Sequence, residues 1–412
     1  MAEKGRLMAL DLAAVRADFP ILKEMIHDRR LVYLDSGASA QKPLRVLERM
    51  DHAYRHEYAN VHRGLHTLAN RATDGFEGAR EKVRAFLNAE RVEEIIFTRS
   101  ATEAINLVAS SFVGPSIGEG DEIVISIAEH HSNIVPWHFH RERKGAVIKW
   151  VDVADDGSFD LDAFAASLTD RTKFVAITHM SNVLGTITPA KQIVEVAHAK
   201  GIPVLIDGTQ AVVHSKVDIQ DIGADFYVFT GHKLYGPTGI GVLYGKYDLL
   251  AEMQPFLGGG EMIEEVTMET VTYNEPPHRL EAGTPPIVEA IGLGAAIDYV
   301  EALGRDAIVA HEQDVVAYAA EQLSRINTLR MIGTAPGKGG IFSFVMEGAH
   351  AHDVSTILDR YGVAVRAGTH CAMPLLQRFG ATSTCRASFA LYNGKDDVDV
   401  LVEAIEKARS FF

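Results

Sequence analysis

Apolar and polar positions recur along the chain in two periods, one typical of helices and one of strands. Helical spacing is seen first in a group of apolar residues, Phe76, Ala79, Val83, Phe86 and Leu87. Short apolar runs rich in β-branched residues follow at 94–97, 122–127, 147–153, 173–179, 204–207 and 226–229. Helical stretches such as 190–200 separate several of these runs. This alternation predicts an α/β fold with a mostly parallel central sheet flanked by helices.

The pattern changes past about residue 290. Long helical stretches there precede shorter strands and a closing helix over residues 397–412. We therefore predict a large domain over residues 16–292 and a smaller α+β C-terminal domain over residues 293–412. Residues 1–15 are expected to pack on the smaller domain. The boundary is soft, because no linker rich in proline, glycine or serine marks it.

Charge and cysteine content exclude several classes of function. The 412 residues carry a formal net charge of −15 without a block of lysines or arginines, so a nucleic-acid partner is not expected. The two cysteines, Cys371 and Cys385, are too few for a disulfide framework and lack the paired spacing of a zinc site. We expect a cytoplasmic setting and no resident metal. Charges interrupt residues 1–20 every few positions, which argues against a signal peptide or a membrane span.

Polar residues follow the predicted strands where each strand ends. In an open parallel sheet, ligands bind beyond the carboxyl ends of the strands. The residues near those positions include Ala101, Thr102, His130, His131, Asn182, Asp207, Gln210, Thr230, His232 and Lys233. Taken singly, Thr102 reads as a helix cap, Asp207 as a turn residue and Lys233 as a solvated lysine. Taken together, these residues predict a binding site at one edge of the sheet.

The combination of groups matches the needs of pyridoxal phosphate. This cofactor requires a lysine for a Schiff base, a carboxylate beside its pyridinium nitrogen and a cradle for its phosphate. Lys233 and Asp207 offer the first two groups. The helix start at Thr102 offers the third, because free N–H groups at a helix N-terminus attract anions. An imidazole such as that of His130 can also stack on a flat ring. The residues therefore predict a pyridoxal phosphate site.

Nine stretches, in order along the chain, resemble the class V aminotransferase family of fold type I pyridoxal-phosphate-dependent enzymes. More narrowly, they are similar to the group II (SufS-type) cysteine desulfurases. The stretches are YLDSGASAQKP (33–43), VHRGLHTLA (61–69), AEHHSNIVPW (128–137), THMSNVLGT (178–186), DGTQAV (207–212), FYVFTGHKLYGPTGIGVLYG (226–245), RLEAGTPP (279–286), VAVRAGTHCAMPLL (363–376) and CRASFALYN (385–393). They span most of the chain, so the likeness does not rest on one motif.

The resemblance implies a role for each predicted cofactor-binding residue. Lys233 would bind the cofactor covalently, and Asp207 would pair with the pyridine nitrogen. Gln210 would hydrogen-bond the ring oxygen, and His130 would stack on the ring and shuttle protons. The residues implied for the phosphate come from several elements and from the neighbouring subunit of a homodimer, namely Ala101, Thr102, Thr230, His232 and, from that neighbour, Thr284.

The resemblance also implies how substrate and sulfur are handled. Arg386 would grip the substrate carboxylate with its fork of donors, assisted by Asn182. Arg366 would line the site near Cys371, the implied nucleophile, and cationic neighbours favour a thiolate. Cys385 lies in an apolar run and reads as structural. The implied reaction converts L-cysteine to L-alanine and leaves a persulfide on Cys371.

The resemblance also implies a partner protein, and alternative functions stay open. The family implies a sulfur-acceptor protein of the SufE or SufU type and a role in iron–sulfur cluster assembly. Three alternatives stay open: a selenocysteine lyase acting on L-selenocysteine, another class V aminotransferase-type enzyme acting on a different amino acid, and an inactive docking platform. An inactive platform would not need the chemical groups of Lys233, Asp207, His130 and Cys371, and their presence together argues against it. Thr369 and Gly37 depart from the histidine and alanine common in the family, and Thr369 leaves the tuning of the cysteine loop open.

Overall fold

The computed structural model describes residues 10–412. Its strands are β1 Met25–Ile26, β2 Arg29–Arg30, β3 Val32–Tyr33, β4 Ile95–Thr98, β5 Glu122–Ser126, β6 Val147–Val151, β7 Thr172–Thr178, β8 Val204–Asp207, β9 Phe226–Thr230, β10 Gly241–Gly245, β11 Ile263–Val266, β12 Val271–Tyr273, β13 Leu329–Ile332, β14 Ile341–Met346, β15 Val363–Ala364, β16 Arg366–Gly368 and β17 Thr384–Ser388. Its helices are α1 Leu12–Ala17, α2 Leu44–His56, α3 Thr67–Leu87, α4 Ala101–Val108, α5 Gly114–Ser116, α6 Val135–Lys144, α7 Leu161–Ser167, α8 Ala190–His198, α9 Ala211–His214, α10 Ile219–Ile222, α11 Tyr247–Glu252, α12 Ile287–Leu303, α13 Arg305–Ser324, α14 Ala351–Arg360, α15 Met373–Arg378 and α16 Lys395–Arg409.

A seven-stranded sheet forms the centre of the molecule, in the order β4-β10-β9-β8-β7-β5-β6. The five strands from β9 to β6 run parallel to one another. β10 runs antiparallel to both β4 and β9. The carboxyl ends of the parallel strands therefore meet at one edge of the sheet, where ligands of such sheets bind.

Both faces of this sheet pack against helices. Since successive side chains of a strand point to opposite faces, one strand contributes to two cores. Val204 and Ile206 pack in one core, which includes Phe76 of α3 and Ile291 of α12. Leu205 between them packs in a second core, on the side of α4 and α6. Burial on two faces explains why the strands read as continuous apolar runs. The predicted α/β fold with a mostly parallel central sheet is confirmed.

A smaller antiparallel sheet, in the order β13-β14-β17-β16, lies in the C-terminal part of the chain. Helices α14 and α16 cover it through residues such as Leu358 and Leu401. β3 pairs in parallel with β15, so the segment before α2 also contacts this part. The division at residues 15 and 292 stays a prediction. Residues 1–9 of that division lie outside the described residues.

The sequence prediction missed β10, whose sequence GVLYG reads as part of a glycine-rich turn. Gly241 and Gly245 instead allow β10 to pack closely against neighbouring elements. A Cβ atom at Gly241 would overlap the backbone of Ser100 at the start of α4, and one at Gly245 would overlap the side chain of Leu250. The close approach of α4 to β10 therefore requires glycine at position 241.

The structure also bears on membrane association. Among residues 10–412, no helix combines the length and the apolar surface that crossing a bilayer requires.

Candidate active site

One cavity of about 270 Å³ lies at the carboxyl edge of the large sheet. Of the residues predicted for the site, all but His131 and Thr284 line it, namely Ala101, Thr102, His130, Asn182, Asp207, Gln210, Thr230, His232, Lys233, Arg366, Cys371 and Arg386. Thr284 lines a separate, smaller pocket with Arg99 and Glu103. Its predicted role belongs to a neighbouring subunit and stays a prediction.

Lys233 ends the short helical turn Gly231–Lys233 that follows β9. Burial, with a smaller contribution from Arg386, lowers the pKa of Lys233 to about 8. The preceding carbonyl, of His232, accepts hydrogen bonds from Ala40 N at 3.1 Å and Lys42 Nζ at 2.9 Å. These hydrogen bonds hold the backbone just before Lys233, and its amine becomes neutral at a lower pH than that of an ordinary lysine. A lysine of this kind suits imine chemistry.

Asp207 is the last residue of β8 and is buried. Burial raises the pKa of its carboxyl group, while hydrogen bonds from Thr209 and the charge of Lys233 act against that rise. Its Oδ1 accepts from Thr209 N at 3.0 Å. Such a carboxylate can hold a ring nitrogen in its protonated form. Gln210, also predicted for the cofactor, donates from Nε2 to the carbonyl oxygen of Gly37 at 2.8 Å.

The first turn of α4 faces this cavity with hydroxyl groups around it. Ser100 caps the helix by accepting from Glu103 N at 3.2 Å. Thr102, Thr230 and His232 line the same part of the site. Burial lowers the pKa of His232 to about 4, so its ring is neutral and can donate a hydrogen bond. Free N–H groups, hydroxyls and a neutral imidazole fit the phosphate of pyridoxal phosphate.

His130 lies beyond β5 and is also held neutral. Burial, reinforced by Lys233, lowers the pKa of His130 to about 3. Its Nδ1 lies 2.8 Å from Ser132 Oγ. A neutral imidazole that lines the cavity can stack on a ring or exchange a proton through its other nitrogen.

Sequence reasoning gave no role to Glu129, which supports this loop. Its buried carboxyl group accepts from Ser126 Oγ at 2.5 Å, Asn133 Nδ2 at 2.6 Å and Thr178 N at 2.9 Å. Burial raises its pKa to about 8. Glu129 therefore ties the turn carrying His130 to the ends of β5 and β7. The tripeptide EHH was the available signal, but nothing in it tells which of the three polar residues faces inward.

Arg386, on β17, places a buried guanidinium in the cavity. It donates to the Asn182 carbonyl oxygen at 3.0 Å, and its Nη2 donates to Asp35 Oδ1 at 3.3 Å. Its Nε is buried and has no partner within the described residues. The guanidinium group lines the cavity, where its fork of donors can bind a carboxylate.

Asp35 is a second residue that sequence reasoning missed. It also pairs with Arg366, whose Nη2 lies 3.1 Å from Asp35 Oδ2. One carboxylate thus orients both arginines of the cavity. Its position directly after the β-prone residues of YLDSGAS was the only signal in the sequence.

Cys371 and Cys385 have opposite environments. Cys371 is exposed and lines the cavity from the loop between β16 and α15. Cys385 is buried on β17, and burial raises its pKa to about 12. Its sulfur donates to the Ala351 carbonyl oxygen at 3.0 Å. Cys371 is therefore the thiol that a bound substrate can reach.

Comparison with known proteins places this geometry in a family. The aminotransferase class-V family model matches residues 32–401. The chain belongs to this family. Residues 10–31, which include α1, precede the match.

Members of the family with high similarity are cysteine desulfurases. The chain is 51% identical over 394 residues to a cysteine desulfurase of Dickeya dadantii, covering 95% of each chain. The structure of the cysteine desulfurase CsdA (S-sulfonic acid) from Escherichia coli is 40% identical, covers 98% of this chain and 100% of that one, and superposes with a TM-score of 0.91. The apo cysteine desulfurase from Thermococcus onnurineus is 36% identical with full coverage of both chains and a TM-score of 0.93. These relatives do not favour the selenocysteine lyase alternative.

Proposed function

We propose that this protein is a pyridoxal-phosphate-dependent cysteine desulfurase that converts L-cysteine to L-alanine and retains the sulfur as a persulfide on Cys371. The observation that carries the proposal is that the amine of Lys233 and the thiol of Cys371 line one cavity of about 270 Å³. Desulfuration needs a sulfur nucleophile in the same cavity as the lysine, whereas transamination does not. The family and the cysteine desulfurase relatives support the same activity.

The residues around the cavity fit pyridoxal phosphate. The Lys233 amine, the Asp207 carboxylate and the hydroxyl-lined first turn of α4 would hold its aldehyde, ring nitrogen and phosphate. Gln210 and His130 would contact the ring from the side and the face. When bound, the cofactor supplies an electron sink for charge developing at the α-carbon of an amino acid.

The protein's own residues bind the substrate and move its proton. The guanidinium group of Arg386 would receive the substrate carboxylate, with Asn182 and Arg366 beside it. Lys233 Nζ, whose pKa lies at about 8, can take up and return a proton near neutral pH. Asp35 keeps both guanidinium groups turned towards the cavity.

Cys371 receives the sulfur. Its thiolate would attack the substrate sulfur, so that an S–S bond forms while the C–S bond breaks and its electrons remain on carbon. Protonation of that carbon fragment then yields alanine. The cationic side chains of Arg386 and Lys233 line the same cavity as Cys371.

The wider context is also part of the proposal. The enzyme would act as a homodimer in which Thr284 of each subunit completes the phosphate site of the other. A sulfur-acceptor protein of the SufE or SufU type would collect the persulfide sulfur in the cytoplasm for iron–sulfur cluster assembly. The exposure of Cys371 supports transfer to such a protein.

Mass spectrometry tests the proposal directly. After incubation with L-cysteine, the peptide carrying Cys371 should gain one sulfur atom, and alanine should appear in solution. Cys371→Ser should bind the cofactor normally but form no persulfide and release alanine only at background rate. Normal alanine release by Cys371→Ser would show that the nucleophile has been misassigned. Cys385→Ser is the matched control, and it should still form the persulfide.

A further inference from the structure

The loop that carries Cys371 has an unusual backbone conformation. His370 and Cys371 have φ values of +51° and +56°, in the left-handed region that non-glycine residues rarely adopt. Two consecutive residues of this kind persist only where neighbouring groups impose the conformation. The groups that hold this loop therefore help to set the direction of the Cys371 side chain.

Three hydrogen bonds connect the loop to the large sheet. Asn182 Nδ2 donates to the His370 carbonyl oxygen at 2.7 Å. The backbone N–H of His131 donates to the Cys371 carbonyl oxygen at 2.7 Å. The ring of His131 accepts at Nε2 from the backbone N–H of Met373, at 3.2 Å. His131 thus holds the loop at Cys371 and again two residues further on.

His131 is itself well anchored. It starts the short helical turn His131–Asn133, and the side chain of Asn133 is bonded to the buried Glu129. On the other side, Ala372 is buried in a small apolar cluster with Ala128. Burial lowers the pKa of His131, which favours the neutral ring whose Nε2 can accept a hydrogen bond. Both ends of the contact are therefore fixed.

We propose that His131 is a positioning residue for Cys371: its ring and backbone N–H hold the left-handed loop so that the thiol is directed at the substrate sulfur. The inference rests on the proposed function. His131 itself takes part in no chemical step and contacts no reacting atom. Its neighbour His130 faces the cavity, so consecutive residues would orient the cofactor ring and the nucleophile.

Two variants of the holoenzyme separate the loss of the ring's hydrogen bond from other effects of substituting His131. His131→Ala removes the acceptor for Met373 N–H and leaves the backbone contact. His131→Gln retains a side-chain acceptor. With saturating L-cysteine, kcat for alanine formation should fall about tenfold or more in His131→Ala, because small errors in orientation are costly, with KM changed less than about twofold. His131→Gln should recover most of kcat, and the absorbance of the bound cofactor should be unchanged in both.

Hydrogen exchange provides a readout that does not depend on the substrate. The peptide containing Met373 should exchange faster in His131→Ala than in the unmodified enzyme, and His131→Gln should restore protection. His138→Ala is the control, since this histidine lies on α6 beside Trp150. It should change neither kcat nor exchange.

The outcomes are distinguishable. Unchanged exchange or unchanged kcat in His131→Ala, no recovery in His131→Gln, or an equal effect of His138→Ala would each overturn the positioning role. If the unmodified enzyme forms no alanine from cysteine, the proposed function fails, while the exchange data still decide whether the ring of His131 holds the loop.

Discussion

More cationic than anionic side chains line the cavity. Lys233, Arg366 and Arg386 line it, opposed by the carboxylates of Asp35 and Asp207. Asp35 is already paired with both arginines. Lys233 is half-buried, Arg386 is buried, and each has a lowered pKa. Such a site is prepared for ligands that bring their own negative charge, as a phosphate and an α-carboxylate do.

The lowered pKa of Lys233 predicts how its amine reacts in cofactor-free protein. Burial disfavours the charged form, so the neutral nucleophile should appear around pH 8 instead of near 10.5. Acetylation by a small anhydride, followed by peptide mass spectrometry, should therefore show a midpoint near pH 8 at Lys233. Lys191, exposed and paired with Asp221, has a raised pKa and serves as the internal control. Equal midpoints at the two lysines would contradict the prediction.

The same shift affects stability. Below about pH 8, desolvation of the charged Lys233 amine destabilises the folded state. This destabilisation disappears as the pH rises from about 8 towards 10.5. The contribution of Lys233 to the free energy of unfolding should therefore rise across that window. Comparing urea unfolding of Lys233→Met and the unmodified cofactor-free protein at several pH values isolates it. A difference that stays constant with pH would refute the shift.

Arg386 and Arg366 are predicted to differ in substrate binding. Arg386→Lys should raise KM for cysteine about tenfold, because losing one charge-assisted hydrogen bond costs about 1.5 kcal/mol. Arg366→Lys should have a smaller effect, since the Arg366 side chain is half exposed. Cofactor absorbance should be unchanged in both. Steady-state kinetics measure the difference, and a larger effect at Arg366 would reassign the carboxylate site.

At the scale of elements, the site depends on how closely α4 approaches β10. The first turn of α4 contributes Ala101 and Thr102 to the cavity. Gly241 permits this approach, because any Cβ atom there would overlap the backbone of Ser100. Backbone cannot move aside as a flexible side chain can, so the position should be sensitive to substitution.

Gly241→Ala should destabilise the protein by about 1–3 kcal/mol and weaken binding of pyridoxal phosphate, because overpacking displaces α4. Gly78→Ala, in α3 with no atom within 4 Å of the added Cβ, is the matched control. That change should leave stability unaltered or raise it, since alanine favours helices. Thermal unfolding and cofactor titration measure both. Equal stability of the two variants would show that α4 has room to shift.

At the scale of the whole molecule, the cofactor edge of the large sheet is joined to the C-terminal helices. His214 ends α9, four residues after Gln210, and its Nδ1 lies 2.8 Å from Glu312 Oε2 on α13. Both side chains are buried. β3 adds a second connection through its parallel pairing with β15, and Asp35 lies two residues after its end. Both arginines of the cavity, on β16 and β17, pair with Asp35, and Arg386 also donates to Asn182 in the loop after β7.

Breaking the buried pair should cost more than breaking an exposed one. Glu312→Leu removes the partner of His214 and should lower the free energy of unfolding by about 3 kcal/mol. Asp314→Asn, on the same helix, breaks only the exposed pair with Lys395 and should cost less than about 1 kcal/mol. Urea unfolding gives both values. Similar losses would mean that the buried pair does not join the two parts of the molecule.

Local pattern determined much of the fold. The strand predicted at 204–207 begins and ends at the predicted residues. The other predicted strands of the large sheet exist with ends shifted by one or two residues. This agreement has a simple cause, since strands buried on both faces need unbroken apolar runs. β10 was missed because its glycines are required by packing against other elements, Gly241 against the start of α4 and Gly245 against Leu250 of α11.

Chemistry at strand ends was also within reach of the sequence, because parallel strands bring their carboxyl ends together whatever lies between them. That rule, with the family resemblance, was enough to name Lys233, Asp207 and Cys371 and to expect pyridoxal phosphate. The tertiary structure alone decided which groups touch. It brought Asp35 to both arginines and His131 to the Cys371 loop, contacts between residues hundreds of positions apart. No local period encodes such contacts, since they depend on how sheets and helices pack in three dimensions.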